Sequence, residues 1–289
     1  MYFPHGKIQS KITYREGIRH GSYQTFYESG NLMQEGNYIN DKRQGIFKSY
    51  YNSGHLMSEE TYVDDAFNGP FKSYYKTGEL NYKGFKTGNS FQDTLYTYYP
   101  DGTMERVAVY KNGVLNGLFK TYHDNGTLYS VCHYVNGKIE GKYQEYFQNE
   151  APMQTGQYKD GLKTGEWRGF FPSGGLYSCG IMKEDKLHGE WTVYYKNGNL
   201  KQIGSYYLNE ENGLWVYFYE NGFEKTRGHF IMGSQEGLWQ MYYESGILGS
   251  IALYRKNNPH GVVRNFNEDG SMAGNMMFLD GVLLEEKTD

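Results

Sequence analysis

Histidines are the side chains in this sequence best suited to acid–base or metal chemistry, and eight are present. Three of them, His20, His188 and His260, stand directly before a glycine in a motif that recurs along the chain. Because they are far apart in the sequence, we interpret them as polar turn residues and not as one converging site. His123 and His133 are closer together, but the strand pairing derived below does not place them opposite each other. We predict no metal site in either group.

Acidic residues gather at Glu59, Glu60, Asp64 and Asp65. A run of charges in a predicted turn is typical of a solvated surface and not of a general acid–base pair. Glycines are frequent, but none opens a loop that leads from a strand into a helix, the arrangement that cradles phosphate. We therefore predict a protein without a cofactor that is not an enzyme.

The composition limits the classes of partner and the cellular compartment that we expect for this protein. The chain has 29 basic and 33 acidic side chains, and the net charge of −4 argues against nucleic acid as a partner. Cys132 and Cys179 lack metal-binding spacing, and we expect no disulfide between them. No apolar run is long enough to span a membrane, and the first residues lack the pattern of a signal peptide. We expect a soluble, cytoplasmic protein.

The elements that must carry any site come from a 24-residue repeat that holds its register along the whole sequence. We number each repeat from its first glycine as position one. That glycine is Gly21, Gly45, Gly69, Gly117, Gly141, Gly165, Gly189, Gly213, Gly237 and Gly261, with Asp93 as the departure. Position six is Phe or Tyr in every repeat. Position three includes the four tryptophans, Trp167, Trp191, Trp215 and Trp239.

Two turn signatures separate the strands of each repeat. Positions nine and ten mostly read Asn-Gly, Asp-Gly, Ser-Gly or Thr-Gly, which predicts a type I′ turn with two positive-φ residues. This register places position seven opposite position twelve, and position three opposite position sixteen. Tyr195 then faces Leu200, Trp191 faces Gly204, and Trp215 faces Gly228. Position twenty-one is always Gly, Asn or Asp, and we expect a longer turn there.

This alternation predicts an all-β fold: an elongated antiparallel meander of β-hairpin repeats that forms a curved single sheet or open roll. We expect residues 1–289 to form a single array of about twelve repeats, partial at both ends. Because side chains alternate between faces, positions three, seven, twelve, sixteen and eighteen share an apolar core face. Position six lies on the other face among polar residues.

Two aromatic rows are candidates for function. The row at position six is either a structural stack or a binding surface, and its candidate residues are Tyr146, Phe170, Tyr194, Phe218 and Tyr242. The tryptophan row at position three is interpreted as core packing against small residues. An exposed aromatic strip for a partner or a glycan is the alternative for that row.

The repeat is irregular at two places. Lys86 takes a position that is usually aromatic, Asp93 takes that of the first glycine, and Leu95 takes that of the position-three ring. Glu150 and Pro152 interrupt a second hairpin. We expect regular stacking to be disturbed at both places, and the array to be weakest or most bent near residues 84–95.

The pattern Gly-x-Trp-x-x-Tyr-Tyr-x-Asn-Gly-x-Leu, followed by Tyr-x-x-Gly-x-x-x-Gly, resembles the MORN-repeat variant of bacterial YwqK-type antitoxins. The resemblance covers residues 1–289. It implies an all-β hairpin array that binds a partner, and for that bacterial group it implies neutralisation of a co-encoded toxin. Related arrays in eukaryotes are scaffolds, and contact with phospholipids has been proposed for some.

We therefore expect a non-catalytic scaffold for protein–protein binding, and in the first place an antitoxin or immunity-type protein that caps a toxin. One alternative is a carbohydrate-binding array, because aromatic repeats also occur in glycan-binding proteins of the cell surface. Another is a scaffold for anionic lipids at a membrane surface. Lys48, Lys72 and Lys120 recur at position four and would supply its basic stripe.

Overall fold

The computed structural model describes residues 1–288, which form β-strands and turns and contain no helix. The predicted all-β hairpin fold is confirmed. Residues 1–140 and the residues from Gly141 onward form two compact units. That residues 1–289 form one array stays a prediction.

The strands of the first compact unit are β1 (Ser10–Arg15), β2 (Ile18–Phe26), β3 (Leu32–Ile39), β4 (Lys42–Arg43), β5 (Gly45–Tyr50), β6 (Leu56–Val63), β7 (Ala66–Tyr74), β8 (Leu80–Thr87), β9 (Ser90–Tyr98), β10 (Met104–Lys111), β11 (Val114–Tyr122) and β12 (Leu128–Val135). Each long strand pairs antiparallel with the next one along the chain. The short β4 continues the pairing of β3, which also pairs with β5.

The remaining strands belong to the second compact unit, apart from the first three residues of β13. They are β13 (Lys138–Tyr146), β14 (Pro152–Lys159), β15 (Leu162–Phe170), β16 (Leu176–Lys183), β17 (Lys186–Tyr194), β18 (Leu200–Tyr207), β19 (Glu210–Glu211), β20 (Gly213–Phe218), β21 (Glu224–Ile231), β22 (Ser234–Tyr242), β23 (Leu248–Arg255), β24 (Asn258–Pro259), β25 (Gly261–Phe266), β26 (Met272–Leu279) and β27 (Val282–Thr288). They form the same antiparallel meander.

The first turn of each repeat differs from the predicted type I′ turn. Gly198 N–H donates to Tyr195 O at 3.0 Å, and Tyr195 N–H donates to Asn199 O at 2.8 Å. Gly198 has φ +89°, whereas Asn197 is not among the positive-φ residues. This geometry is a three-residue hairpin loop that closes with a left-handed glycine. The extra loop residue introduces a bulge, so Tyr194 pairs with Leu200 and the predicted pairing of Tyr195 with Leu200 is wrong.

The two-residue type I′ turn lies at the second connection, where a longer turn was expected. Asn40 and Asp41 have φ +50° and +65°, and the flanking Ile39 and Lys42 pair directly. Positions twenty and twenty-one have this pair of left-handed residues in most repeats. Two consecutive positive-φ residues define a type I′ turn, whose twist matches that of the flanking strands.

The pairing of position three with position sixteen is confirmed, because Trp191 pairs with Gly204 and Trp215 pairs with Gly228. The face that carries position three, called the first face below, holds the core of each compact unit. There the rings at positions three and eighteen meet edge to face, as in Phe47 with Tyr62, where the centroids are 5.5 Å apart. Edge-to-face contact is a favoured geometry for aromatic pairs.

Strand pairing continues through both irregular repeats. Phe71 pairs with Gly84, and Leu95 with Ala108, in the same register as elsewhere. Asp93 keeps the left-handed conformation of the glycine that it replaces, with φ +60°. Lys86 replaces an aromatic residue, and its ammonium group lies 4.8 to 5.1 Å from the centroids of three phenylalanine rings. Reduced stability near residues 84–95 stays a prediction.

Candidate functional site

The sheet has a second face, opposite the core, on which positions two, four, six, fifteen and seventeen meet. Tyr50 at position six donates its hydroxyl to Glu35 Oε1 at position fifteen, at 2.7 Å. Arg168 at position four and Cys179 at position fifteen both bond to Glu166 at position two. These contacts show which side chains can act together on this face.

The position-six residues Tyr146, Phe170, Tyr194, Phe218 and Tyr242 are all half-buried on this second face. They are spaced one repeat apart in β13, β15, β17, β20 and β22. These side chains are therefore partly covered by their neighbours and partly open to solvent. Their role in binding stays a prediction.

The tryptophan row lies on the first face. Trp167, Trp215 and Trp239 are buried, whereas Trp191 is half-buried. The indole N–H of Trp215 donates to Ser205 O at 3.1 Å. Burial of the large rings makes this row part of the packing that holds the strands together.

Positions two and seventeen form a row across the strands of the second face, called the second-face row below. In the second compact unit its members pair directly: Lys142 with Gln157, Glu166 with Ile181, Glu190 with Ser205, Leu214 with His229, Leu238 with Leu253, and Val262 with Met277. The first three pairs are mostly polar and the last three are mostly apolar. Leu238 is 52% exposed and Leu253 is 43% exposed. The row therefore changes from polar to apolar between Ser205 and Leu214, a contrast that the sequence analysis missed.

A ladder of tyrosine hydroxyls at position seven was also missed. Tyr195 donates its hydroxyl to Phe218 O in the next repeat at 2.8 Å, and Tyr219 donates to Tyr242 O at 2.8 Å. The same bond is made by five further tyrosines, Tyr27, Tyr51, Tyr75, Tyr99 and Tyr243. These tyrosines join neighbouring repeats, which explains their regular spacing without a binding role.

A second ladder lies at position twenty-one. Asp65 accepts bonds from the backbone N–H and the Nε of Arg43 at 2.8 and 3.1 Å, and Arg43 stacks on Tyr62 at 3.8 Å. The backbone bond, together with the guanidinium, lowers the pKa of Asp65. Arg19 and Asp41 repeat the arrangement one repeat earlier. The recurrent Asp and Asn at this position thus connect repeats.

Two lysines of the second face in the first compact unit share one carboxylate. Glu59 lies 3.6 Å from Lys48 and 3.5 Å from Lys72, so one carboxylate serves two of the three lysines of the predicted basic stripe. Burial, reinforced by Glu35, raises the pKa of Tyr50 to about 12. Part of the predicted basic stripe is therefore compensated by acid.

The residues first considered for chemistry lie in separate places. His20 and His260 contact turn residues, with Nδ1 3.3 Å from Asn40 Oδ1 and 2.9 Å from Asp280 Oδ1. Burial raises the pKa of the free Cys132 thiol to about 11, which holds it in the protonated, weakly nucleophilic form. Across residues 1–288, no three His, Cys, Asp or Glu side chains come together as metal ligands.

The fold and the repeated hairpin define an all-β repeat protein. The model of the MORN repeat variant matches residues 1–16, 19–40, 43–64, 115–136, 187–209 and 235–256. These six segments of the chain are therefore similar to the MORN repeat variant, a repeat class that suggests a scaffold for binding.

Comparison with other known proteins adds little. No curated protein matches the chain. A crystal structure of TcdB2-TccC3 resembles it with a TM-score of 0.20 at 10% identity, covering 98% of this chain and 19% of that chain. A Tc holotoxin pore of Photorhabdus luminescens gives a TM-score of 0.19 at 10% identity, covering 94% of this chain and 18% of that one. Likeness at this level does not bear on function. Separately, none of residues 1–288 forms a helix with the length and apolar character needed to cross a bilayer.

Proposed function

We propose that this chain is a non-catalytic repeat scaffold that binds a protein partner through the apolar half of the second-face row. That half comprises Leu214, His229, Leu238, Leu253, Val262 and Met277, which lie on consecutive long strands. By analogy with the repeat class, the partner is a toxin that the chain neutralises.

The proposal rests on one observation. Large apolar side chains occupy exposed positions of the second-face row, whereas other repeats have polar side chains at the same positions. Leu238 and Leu253 face each other across the ladder, and both remain substantially exposed. Glu190 and Ser205 hold the same positions two repeats earlier. Packing of the sheet thus does not require leucine there. Contiguous exposed apolar surface usually marks a site of interaction.

Aromatic residues flank this row and would supply anchors for a partner. Phe218 and Tyr242 lie on the same face, four residues along β20 and β22 from Leu214 and Leu238. Interfaces commonly concentrate their binding energy in a few aromatic and apolar side chains surrounded by polar groups.

The distribution of charge favours a protein over anionic lipid as the partner. Two of the three lysines in the basic stripe proposed from the sequence share Glu59 as a counterion, and the chain has a net charge of −4. Binding to an anionic membrane needs several uncompensated basic residues. The apolar half of the row presents mainly apolar surface, and burial of that surface against a protein partner is favourable.

The test is binding of the purified chain to the products of the two genes that flank its own, measured by calorimetry, with growth rescue on co-expression. We expect one product to be toxic alone and to bind the chain. Replacing Leu238, Leu253 and Val262 together by serine should weaken that complex by about 2–4 kcal/mol, or about 30- to 1,000-fold.

The matched control is Lys142→Ser with Glu190→Ser, at the same positions in the polar half of the row. This variant should bind like the unchanged chain. Binding that survives the triple serine substitution would place the interface elsewhere. Binding to cell-wall glycan or to anionic vesicles, but to neither gene product, would overturn the proposal.

A further inference from the structure

On the first face of the second compact unit, a cavity of about 240 Å³ opens between two consecutive tryptophans. The residues that line it include Trp167, Trp191, Met182, Leu187 and Lys163. This is below the range of about 300–1,000 Å³ that is typical of small-molecule sites. Its size suits one side chain.

The cavity exists because two positions carry small residues. Gly169 and Ser178 pair directly at positions five and fourteen, and both line it. In the next three repeats position five is Val193, Tyr217 and Met241. The fold therefore accepts larger residues at this position, so the notch at Gly169 is a local feature of this repeat.

A second departure from the repeat pattern keeps the cavity open. Position eighteen is aromatic in most repeats and packs edge to face on the position-three rings, as Phe230 does on Trp239 at 5.0 Å. Met182 occupies that position beside Trp167 and Trp191. An unbranched thioether fills less of this space than a ring, and Trp191, which also lines the cavity, is half-buried.

The chemistry of the walls selects the occupant. Two indole rings attract another aromatic ring beyond the gain from burial alone. A thioether also favours aromatic contact. Lys163 Nζ already lies 4.2 Å from the centroid of the Trp167 ring, where it can attract the face of a second ring. Each of these groups prefers a ring to an aliphatic side chain.

We infer that the cavity between Trp167 and Trp191 is a pocket for one aromatic side chain of a protein partner. The inference rests on the proposed binding function, and it adds a contact on the first face, opposite the second-face row, which the partner would reach with one ring. The pocket can be tested without knowing the partner, because a free aromatic amide carries the same ring as the partner's side chain.

The experiment is a titration of the full chain with N-acetyl-phenylalaninamide, followed through the indole N–H resonances of ¹⁵N-tryptophan. We expect Trp167 and Trp191 to shift with half-saturation in the millimolar range, while Trp215 and Trp239 act as internal controls. N-acetyl-leucinamide should bind at least about tenfold more weakly, because it lacks the ring.

Two variants test the pocket itself. Gly169→Val fills the notch with the residue found at position 193, and Met182→Phe restores a position-eighteen ring. Each should weaken the amide at least about tenfold, with Trp215 and Trp239 resonances unmoved as proof of folding. Asn265→Val makes a comparable change at position five elsewhere and should leave binding unchanged.

Three results would overturn the inference of an aromatic pocket. They are equal shifts at all four tryptophans, no shift at any of them, and equal binding of the phenylalanine and leucine amides. If neither flanking gene product bound the chain, the proposed function would be overturned, and the result of this titration would be unaffected. The two ideas therefore fail separately.

Discussion

The ring of Trp215 lies flat on the backbone of Gly204, one strand earlier in the sheet. A β-carbon added to Gly204 would come within 2.1 Å of Trp215 Cδ2. Gly156, Gly180 and Gly228 stand in the same relation to the other three tryptophans. Each tryptophan therefore covers the position-sixteen glycine of the preceding repeat. It does not cover the position-sixteen residue of its own hairpin, although it pairs with that residue across the strands.

Gly204→Ala should destabilise the chain by about 1–3 kcal/mol, because the indole must move away from a newly added methyl group in a packed core. Urea unfolding monitored by tryptophan fluorescence measures this. Gly175→Ala is the matched control, since Gly175 is exposed and its nearest neighbour would be 3.9 Å away. The control should change stability by less than about 0.5 kcal/mol. Equal effects at both sites would show that the ring does not restrict position sixteen.

Tyr219→Phe should lower the free energy of unfolding by about 0.5–1.5 kcal/mol, because it deletes the hydroxyl that donates to Tyr242 O in the next repeat. Chemical denaturation provides the measurement. Tyr242→Phe removes a position-six hydroxyl and should cost less, because within residues 1–288 the hydroxyl of Tyr242 itself makes no hydrogen bond. If the two substitutions cost the same, the position-seven ladder contributes no specific stability.

Stability should fall in acid through Asp65. Its pKa is lowered from an ordinary value of 3.8 by the bonds from Arg43, so it contributes stability above that value. The contribution disappears as the pH falls below about 4 and passes the folded pKa. Asp65→Asn should show a smaller loss over this range, since Asn209 makes the same backbone bond without titrating. Parallel pH profiles for the two proteins, measured by urea midpoint, would contradict this assignment.

Glu150→Gly should stabilise the chain by about 0.5–1 kcal/mol. Glu150 is exposed and occupies the closing position of its hairpin loop with φ +64°, where other repeats have glycine. Relief of left-handed strain outweighs the extra freedom that glycine brings to the unfolded chain. Glu150→Ala removes the charge but keeps the β-carbon, and should give no gain. If Glu150→Ala also stabilised the chain, the gain would come from removal of the charge and not from relief of backbone strain.

Replacing Tyr194, Phe218 and Tyr242 together by serine tests the position-six row as a binding surface. We expect the chain to stay folded, because Trp215 and Trp239 remain in the core, and the partner complex to weaken by about 2–4 kcal/mol. Circular dichroism and calorimetry give the two readouts. Unfolding of the variant would make position six part of the core, whereas unchanged binding would make the row structural.

Local patterns in the sequence determined much of the fold. The alternation of apolar and polar residues, with glycine, Asn and Asp at fixed intervals, predicts strands, turns and the pairing of Trp191 with Gly204. These features depend on neighbours within one hairpin, so one repeat contains the information. They also separate the face of Trp215 from that of Tyr194.

The tertiary structure decided which connection has which turn. Asn197-Gly198 fits a type I′ turn, but it also fits a three-residue loop that closes with a left-handed glycine, and the sequence signature cannot distinguish them. The choice shifts the pairing of Tyr194 by one residue and frees Tyr195 to bond to the next repeat.

Contacts between repeats were decided only in three dimensions. The bulges and twist of the sheet bring Trp215 onto Gly204, Tyr195 onto Phe218 O, and the small Gly169 between two indoles. The exposed Leu238–Leu253 pair likewise emerges only when faces and register are both known. The sequence by itself determined the hairpin, because its signals are local. The structure decided the surfaces that could bind, because each is assembled from several strands.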